Sequence, residues 1–275
     1  MKQTIVYLNG KYLQEKDAHI SIFDRGFLYG DGLYETIRIY DGVPFLLTEH
    51  LQRLFQGLHI LSMKLPLSQS RIKKIIKNLI QKNKSKEAVA RIFISRGVSN
   101  YGIGVSGSLR PTILITTYPF VPLNVDYERG VVVTVSPFSR NGARATPPFV
   151  KSTNCLNGIL ARIHAEKEHS FEAIHLTDKG FVAEGTVSNI FWIKNGILFT
   201  PPLDGDILPG ITRQFILKKA QSLKMKVQEK KIKLPELCKA DRIFLTSSLI
   251  EMLPVRALKL KNNFIWKTKN DYLEK

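Results

Sequence analysis

Three turn dipeptides, Asn9-Gly10, Asp41-Gly42 and Asn195-Gly196, each interrupt runs patterned as β-strand, and no other feature constrains the chain as tightly. Asn or Asp followed by Gly tolerates the positive φ angles of a tight hairpin turn, so the flanking runs return antiparallel. The first turn predicts strands at residues 4–8 and 11–14. The second closes a strand at 33–40, and the third joins strands at 189–194 and 197–200. Helical spacing fills the gaps. Leu51, Leu54, Phe55, Leu58 and Leu61 recur along one helix face, with Thr48 as its predicted cap, and Ile72, Ile75, Ile76, Leu79 and Ile80 form a second stripe from about Ser68. Strands are predicted at 88–95, 111–117, 130–136, 171–177, 181–183 and 242–246. A helix over 154–168 is expected to bury Leu156, Ile159, Leu160 and Ile163. Further helices follow Gly210, to about residue 223, and Pro235. Pro119 and Pro122 mark the best boundary. The pattern is α+β in two domains: 1–119, a linker at 120–128, and 129–275.

Charge and cysteine content exclude more than they identify. Lys and Arg number 41 against 23 Asp and Glu, a net +18. The lysines fall mostly on the polar sides of helical repeats with few aromatics among them. No nucleic-acid motif accompanies them, so they read as a solvated basic face. No apolar run reaches the roughly 18 residues of a membrane span, and MKQTIVYLNGKYL lacks a signal-peptide core; a cytoplasmic protein with no membrane partner is expected. Cys155 and Cys238 are the two cysteines, too few for a disulfide framework or a metal cluster, so no metal site is expected.

In so charged a chain, two charges stand alone. Lys151 is the sole charge in ATPPFVKSTNCLNGILA, and Glu184 the sole charge in GFVAEGTVSNIFWI. Burying either costs several kcal/mol, of the order of a lost ion pair, unless it is paired or hydrogen-bonded. Either side chain could equally point outward from a strand edge. The chemical reading is that Lys151 is a buried amine of lowered pKa suited to covalent catalysis, and Glu184 a carboxylate facing a cofactor ring nitrogen. Three further features suit an anion. ILPGITR at 207–213 enters a helix through proline and glycine, offering free N–H groups and the Thr212 hydroxyl. Thr246-Ser247-Ser248 offers more hydroxyls, and Arg53 a permanent charge.

Six ordered segments carry a family resemblance: FDRGFLYGDGLYETIR, EHLQRL, KSTNCLNGILA, EGTVSNIF, ILPGITR and TSSLIEMLP. Together the chain resembles the class IV aminotransferases, pyridoxal-phosphate enzymes of fold type IV. The resemblance implies a small N-terminal α/β domain, a larger β-rich C-terminal domain with the cofactor between them, and a homodimer that completes each site. It implies an amino-bearing carboxylate substrate and pyridoxal 5′-phosphate as cofactor. Lys151 matches the lysine that holds the cofactor covalently, and Glu184 the partner of its ring nitrogen. Arg53, Ile211, Thr212 and Ser248, with Ser247 beside them, match the phosphate cup. Leu208 matches an apolar residue on the ring face, Tyr34 a pocket aromatic, and Glu35 a carboxylate near the lysine. Tyr34-Glu35-Thr36-Ile37-Arg38 resembles the 4-amino-4-deoxychorismate lyases of the family, with Thr36 as a catalytic hydroxyl. Thr-Ser-Ser at 246–248 is nearer to the D-amino-acid aminotransferases; the alternative is an aminotransferase for D- or branched-chain amino acids. Where those enzymes place a carboxylate-binding arginine this chain has Tyr101, which leaves Arg96, Arg25, Arg110 and Arg144 as other candidates for the substrate carboxylate.

Overall fold

The structure is a computed structural model that describes residues 4–99, 102–105 and 110–268. The chain divides into two compact units: residues 1–122 with 150–154, and residues 123–149 with 155–275. The division at 122/123 falls within the expected linker. The segment Val150–Asn154, which carries Lys151, groups with the first unit although the sequence pattern assigned it to the second domain.

In the first unit the elements are β1 (Ile5–Leu8), β2 (Lys11–Gln14), α1 (Arg25–Tyr29), β3 (Gly32–Tyr40), β4 (Val43–Pro44), α2 (Leu47–Ile60), α3 (Gln69–Asn83), β5 (Ala88–Ser95) and β6 (Thr112–Pro119). They form a six-stranded antiparallel sheet in the order β2-β1-β6-β5-β3-β4. The Asn9-Gly10 and Asp41-Gly42 turns hold positive φ as their composition requires. One sheet face and the apolar stripes of α2 and α3 share a core that includes Leu33, Ile37, Ile39, Leu51, Leu54, Leu58, Ile72, Ile75, Ile76 and Leu79. Ser68 caps α3, its hydroxyl accepting from the Arg71 N–H. Thr48 does not cap α2. The helix starts one residue earlier, from Leu46 in a left-handed conformation, and the Thr48 hydroxyl instead accepts from Lys73 Nζ at 2.8 Å.

The second unit contains β7 (Val131–Val135), α4 (Leu156–Lys167), β8 (Glu172–Leu176), β9 (Val182–Gly185), β10 (Asn189–Lys194), β11 (Ile197–Thr200), α5 (Ile211–Ser222), β12 (Lys226–Glu229), α6 (Leu234–Leu237), β13 (Arg242–Ser247), β14 (Glu251–Leu260) and β15 (Asn263–Lys267). Strands β10-β13-β14-β7-β8-β9 follow one another, and β9 pairs back to β10, so the sheet closes into a barrel. Inward residues such as Val133, Ile174, Ile190, Trp192, Leu245 and Val255 fill its core. Alternation turns Phe191 and Phe244 outward, beneath α5, with Leu198 and Ala220.

Helix α4 departs from expectation. Leu156, Ile159, Leu160 and Ile163 are 60%, 51%, 37% and 45% exposed, whereas Ala161 and Ala165 are buried against Ala173 of β8. Small side chains let the helix approach the sheet closely, so the larger apolar stripe is left outward. Periodicity identifies an apolar stripe but not which surface covers it.

Candidate functional site

Residues around Lys151 come together along one edge of β3. The Tyr34 N–H donates to the Lys151 carbonyl at 3.1 Å, Thr153 N–H donates to the Gly32 carbonyl at 2.9 Å, and Leu33 bridges Ser152. The half-buried Lys151 amine donates to the Tyr34 hydroxyl at 3.3 Å and lies 4.3 Å from the centre of that ring. Tyr34 and Thr36 share one face of β3, and Glu35 the other.

On its side, Glu35 meets two residues one turn apart on α2. Arg53 grips the carboxylate through Nε and Nη2, each at 2.7 Å, and His50 Nδ1 donates to Oε2 at 2.8 Å. Burial would raise the Glu35 pKa, but the Arg53 charge and the two hydrogen-bond partners outweigh it and bring it down to about 2. Burial lowers the His50 pKa more than Glu35 raises it, so the ring is a neutral donor to an ionised carboxylate. Arg53, expected in a phosphate cup, thus spends two donors on Glu35.

Of the four arginines considered for the substrate carboxylate, Arg96 and Arg25 are engaged in the fold, whereas Arg110 and Arg144 are exposed. Arg96 bonds Asp31 through Nε at 2.8 Å and Nη2 at 3.1 Å, and donates to the Leu61 carbonyl. Arg25 is buried and bonds Asp31, Ser99 and the carbonyls of Gly102, Ile103 and Gly104. Tyr101 lies outside the described residues. Arg91 was not expected. It pairs in register with Thr36 on β5, and among the described residues its guanidinium meets ring faces alone, 4.7 Å from the centre of Phe93 and 5.7 Å from that of Tyr34. Its Nε is buried without a hydrogen-bond partner among the described residues. A lone charge in the apolar strand AVARIFIS is the signal that could have found it.

Around Glu184, on the outer face of the barrel, a second cluster forms. Glu184 is 4% exposed and is not a solitary charge. Arg140 Nε donates to Oε1 at 2.7 Å, while Asn189 Nδ2 and the Leu208 N–H each donate to Oε2 at 3.0 Å. Asn189 also donates to the Leu208 carbonyl, which ties the loop before α5 to β10. Arg140 sits in the 137–148 loop, where no sequence pattern marked it.

Helix α5 begins immediately beyond this loop. Gly210 is its N-cap without a capping side chain, and a Cβ there would lie 1.9 Å from Asn189 Oδ1. Only glycine allows the helix start to approach so closely. The uncapped N–H groups of Ile211 and Thr212 give an electropositive end suited to phosphate. Across the Asn189–Thr246 pairing, the buried Thr246 hydroxyl has no hydrogen-bond partner among the described residues, and Ser247 and Ser248 follow it. Acidic anchor, positive helix end and clustered hydroxyls together fit a phosphorylated pyridine, whose phosphate Ile211, Thr212, Ser247 and Ser248 could hold, with Leu208 available beside its ring.

Comparison with known proteins agrees. The profile of the family described as amino-transferase class IV matches residues 32–258. A Methanocaldococcus jannaschii protein provisionally named a branched-chain-amino-acid aminotransferase is 41% identical, over 91% of this chain and 86% of its own length. The aminodeoxychorismate lyase of Bacillus subtilis is 34% identical, over 94% and 88%. The crystal structure of the branched-chain amino acid aminotransferase of Escherichia coli superposes with a TM-score of 0.89 at 28% identity, covering 94% of this chain and 87% of that one. No helix among the described residues is long and apolar enough to cross a membrane. With its fold, its motifs and its relatives in agreement over nearly the whole length, this chain belongs to the class IV aminotransferases, a family of pyridoxal-phosphate-dependent enzymes.

Proposed function

We propose that this enzyme is a 4-amino-4-deoxychorismate lyase, which eliminates pyruvate to leave 4-aminobenzoate. The observation that carries the reading is the half-buried Thr36 hydroxyl, which has no hydrogen-bond partner among the described residues. It shares a strand face with Tyr34, whose hydroxyl meets the Lys151 amine, and stands in register with Arg91, whose guanidinium meets ring faces alone among the described residues. When bound, pyridoxal phosphate supplies an electron sink for the carbon that bears the substrate amine. Lys151 would hold the cofactor, and its amine would take the proton from that carbon. The C–O bond to the enolpyruvyl group would then break, the Thr36 hydroxyl giving its proton to the departing group and regaining the one held by Lys151, so that pyruvate leaves. Glu184, held by Arg140, Asn189 and Leu208, would keep the ring nitrogen protonated, and Arg91 would receive a substrate carboxylate.

A second reading, transamination of an amino acid with a 2-oxo acid, draws support from the identity to the Methanocaldococcus jannaschii protein. Transamination also uses Lys151 and Glu184 but needs no hydroxyl at position 36. Thr36→Val keeps strand propensity and shape while deleting the hydroxyl. It is expected to slow pyruvate release by about 10²–10⁴-fold, the usual contribution of a placed proton donor, with cofactor absorbance retained. Wild-type enzyme that releases no pyruvate from aminodeoxychorismate, yet moves amino groups from D- or branched-chain amino acids to 2-oxoglutarate, is instead a transaminase. We also infer that the enzyme pairs with a second copy of itself, with the outward apolar stripe of α4 as the contact. Ile159→Glu with Ile163→Glu should give a monomer in sedimentation velocity.

A further inference from the structure

Glu172 opens β8 and is 1% exposed. Ile174 lies in the barrel core and Ala173 beneath α4, so alternation turns Glu172 inward, at the end of the barrel. Its Oε1 accepts the Thr186 N–H at 3.1 Å, the Thr186 hydroxyl, and the Ala173 N–H at 3.1 Å. Its Oε2 accepts the Ser188 hydroxyl at 3.1 Å. Among the described residues no lysine, arginine or histidine pairs with it. A buried carboxylate served by neutral donors alone is costly, and an apolar residue of similar volume would fill the place better if filling were its only task.

What it grips is the turn at 185–188. That turn joins β9, which ends beside Glu184, to β10, which begins at Asn189, and the two residues are paired across the ladder. The turn is closed by Gly185 N–H donating to the Ser188 carbonyl at 2.7 Å. It is wrapped against the carboxylate: a Cβ on Gly185 would lie 2.3 Å from Ser188 Oγ and 3.1 Å from Glu172 Cδ. We propose that Glu172 is a positioning residue, clamping this turn and so fixing the aim of Glu184 and Asn189 at the ring-nitrogen end of bound pyridoxal phosphate. The inference rests on the role given to Glu184 above and extends it to a residue with no place in the family motifs.

The test compares, on apo-protein, the dissociation constants of pyridoxal phosphate and of its 1-deaza analogue, which has C–H in place of the ring nitrogen. Their ratio isolates the interaction of Glu184 with that nitrogen and is blind to general loosening of the site. Glu172→Ala should reduce the ratio about tenfold, the size of one misaligned charge-assisted hydrogen bond. Glu172→Gln, whose amide can still accept from Thr186 and donate to Ser188, should restore most of it. In a Glu184→Gln background the same alanine substitution should leave the ratio unmoved, because the two residues act in series. If Glu172→Ala does not fold, Thr186→Val and Ser188→Ala each remove one contact and should each lower the ratio severalfold. A ratio that falls in Glu184→Gln but holds in the folded Glu172 or Thr186 and Ser188 variants overturns the proposal alone. A ratio unmoved by Glu184→Gln overturns the role of Glu184 and this proposal with it.

Discussion

Glu35 and Glu184 are both buried carboxylates gripped by an arginine, yet their neighbours come from different levels of the structure. Glu35 is served by His50 and Arg53, three residues apart on α2, so one helix face opposite one strand supplies every contact described above. Glu184 is served by a loop arginine, a strand asparagine and a backbone N–H before α5, three segments far apart in sequence. The first arrangement is local and braces the sheet against a helix. The second exists only when the barrel has closed, which ties the aim of the carboxylate to the whole fold of its unit. A carboxylate held by one helix face and a carboxylate held by segments that barrel closure brings together can thus use the same two residue types and differ in what loss of each would cost.

Substitutions can break this contrast. The largest effect is expected at Lys151, whose alanine variant should lose turnover by about 10⁴-fold or more because both covalent attachment and proton transfer go with the amine. Turnover within tenfold of wild type, measured under saturating cofactor and substrate, would remove Lys151 from the chemistry. Glu35→Ala leaves the Arg53 charge buried without its carboxylate and should cost about 3–5 kcal/mol of folding stability in urea titration. A loss below about 1 kcal/mol would mean that Arg53 finds another partner at little cost. Glu184→Gln should slow turnover by about 10²–10³-fold with an almost unchanged melting temperature, since an amide cannot hold a ring nitrogen protonated. The contrast fails if Glu184→Gln unfolds the protein while Glu35→Ala merely slows it.

A smaller, pH-dependent effect follows from Glu35. Its folded pKa, about 2, lies below its ordinary 4.5, so its ionised form stabilises the fold. That contribution is present above about pH 4.5 and is lost as pH falls toward 2. Glu35→Gln should flatten the acid limb of the stability profile within this window, whereas Glu184→Gln serves as the comparison variant. An acid limb unchanged in Glu35→Gln would place the titrating group elsewhere.

Much of this protein was legible in the sequence because short-range rules set it. The three turn dipeptides adopt positive φ since their residue types tolerate it at least cost, and the stripes of α2 and α3 bury because spacing by three and four residues is one helix face. Ser68 caps α3 for an equally local reason. Lys151 and Glu184, each the sole charge of its sequence segment, stand out for the physical cost of burying them. Tertiary structure alone decided the rest. It gave α4 an inward face of alanines and an outward face of larger apolar residues, since a stripe carries no label for the surface that covers it. It committed Arg25 and Arg96 to Asp31 while leaving Arg91 among aromatic rings, a sorting that depends on which strands pair. It brought Arg140, Asn189 and Leu208 to Glu184 and Thr186 and Ser188 to Glu172, because hydrogen bonds between distant segments form only where barrel closure places their donors within about 3 Å.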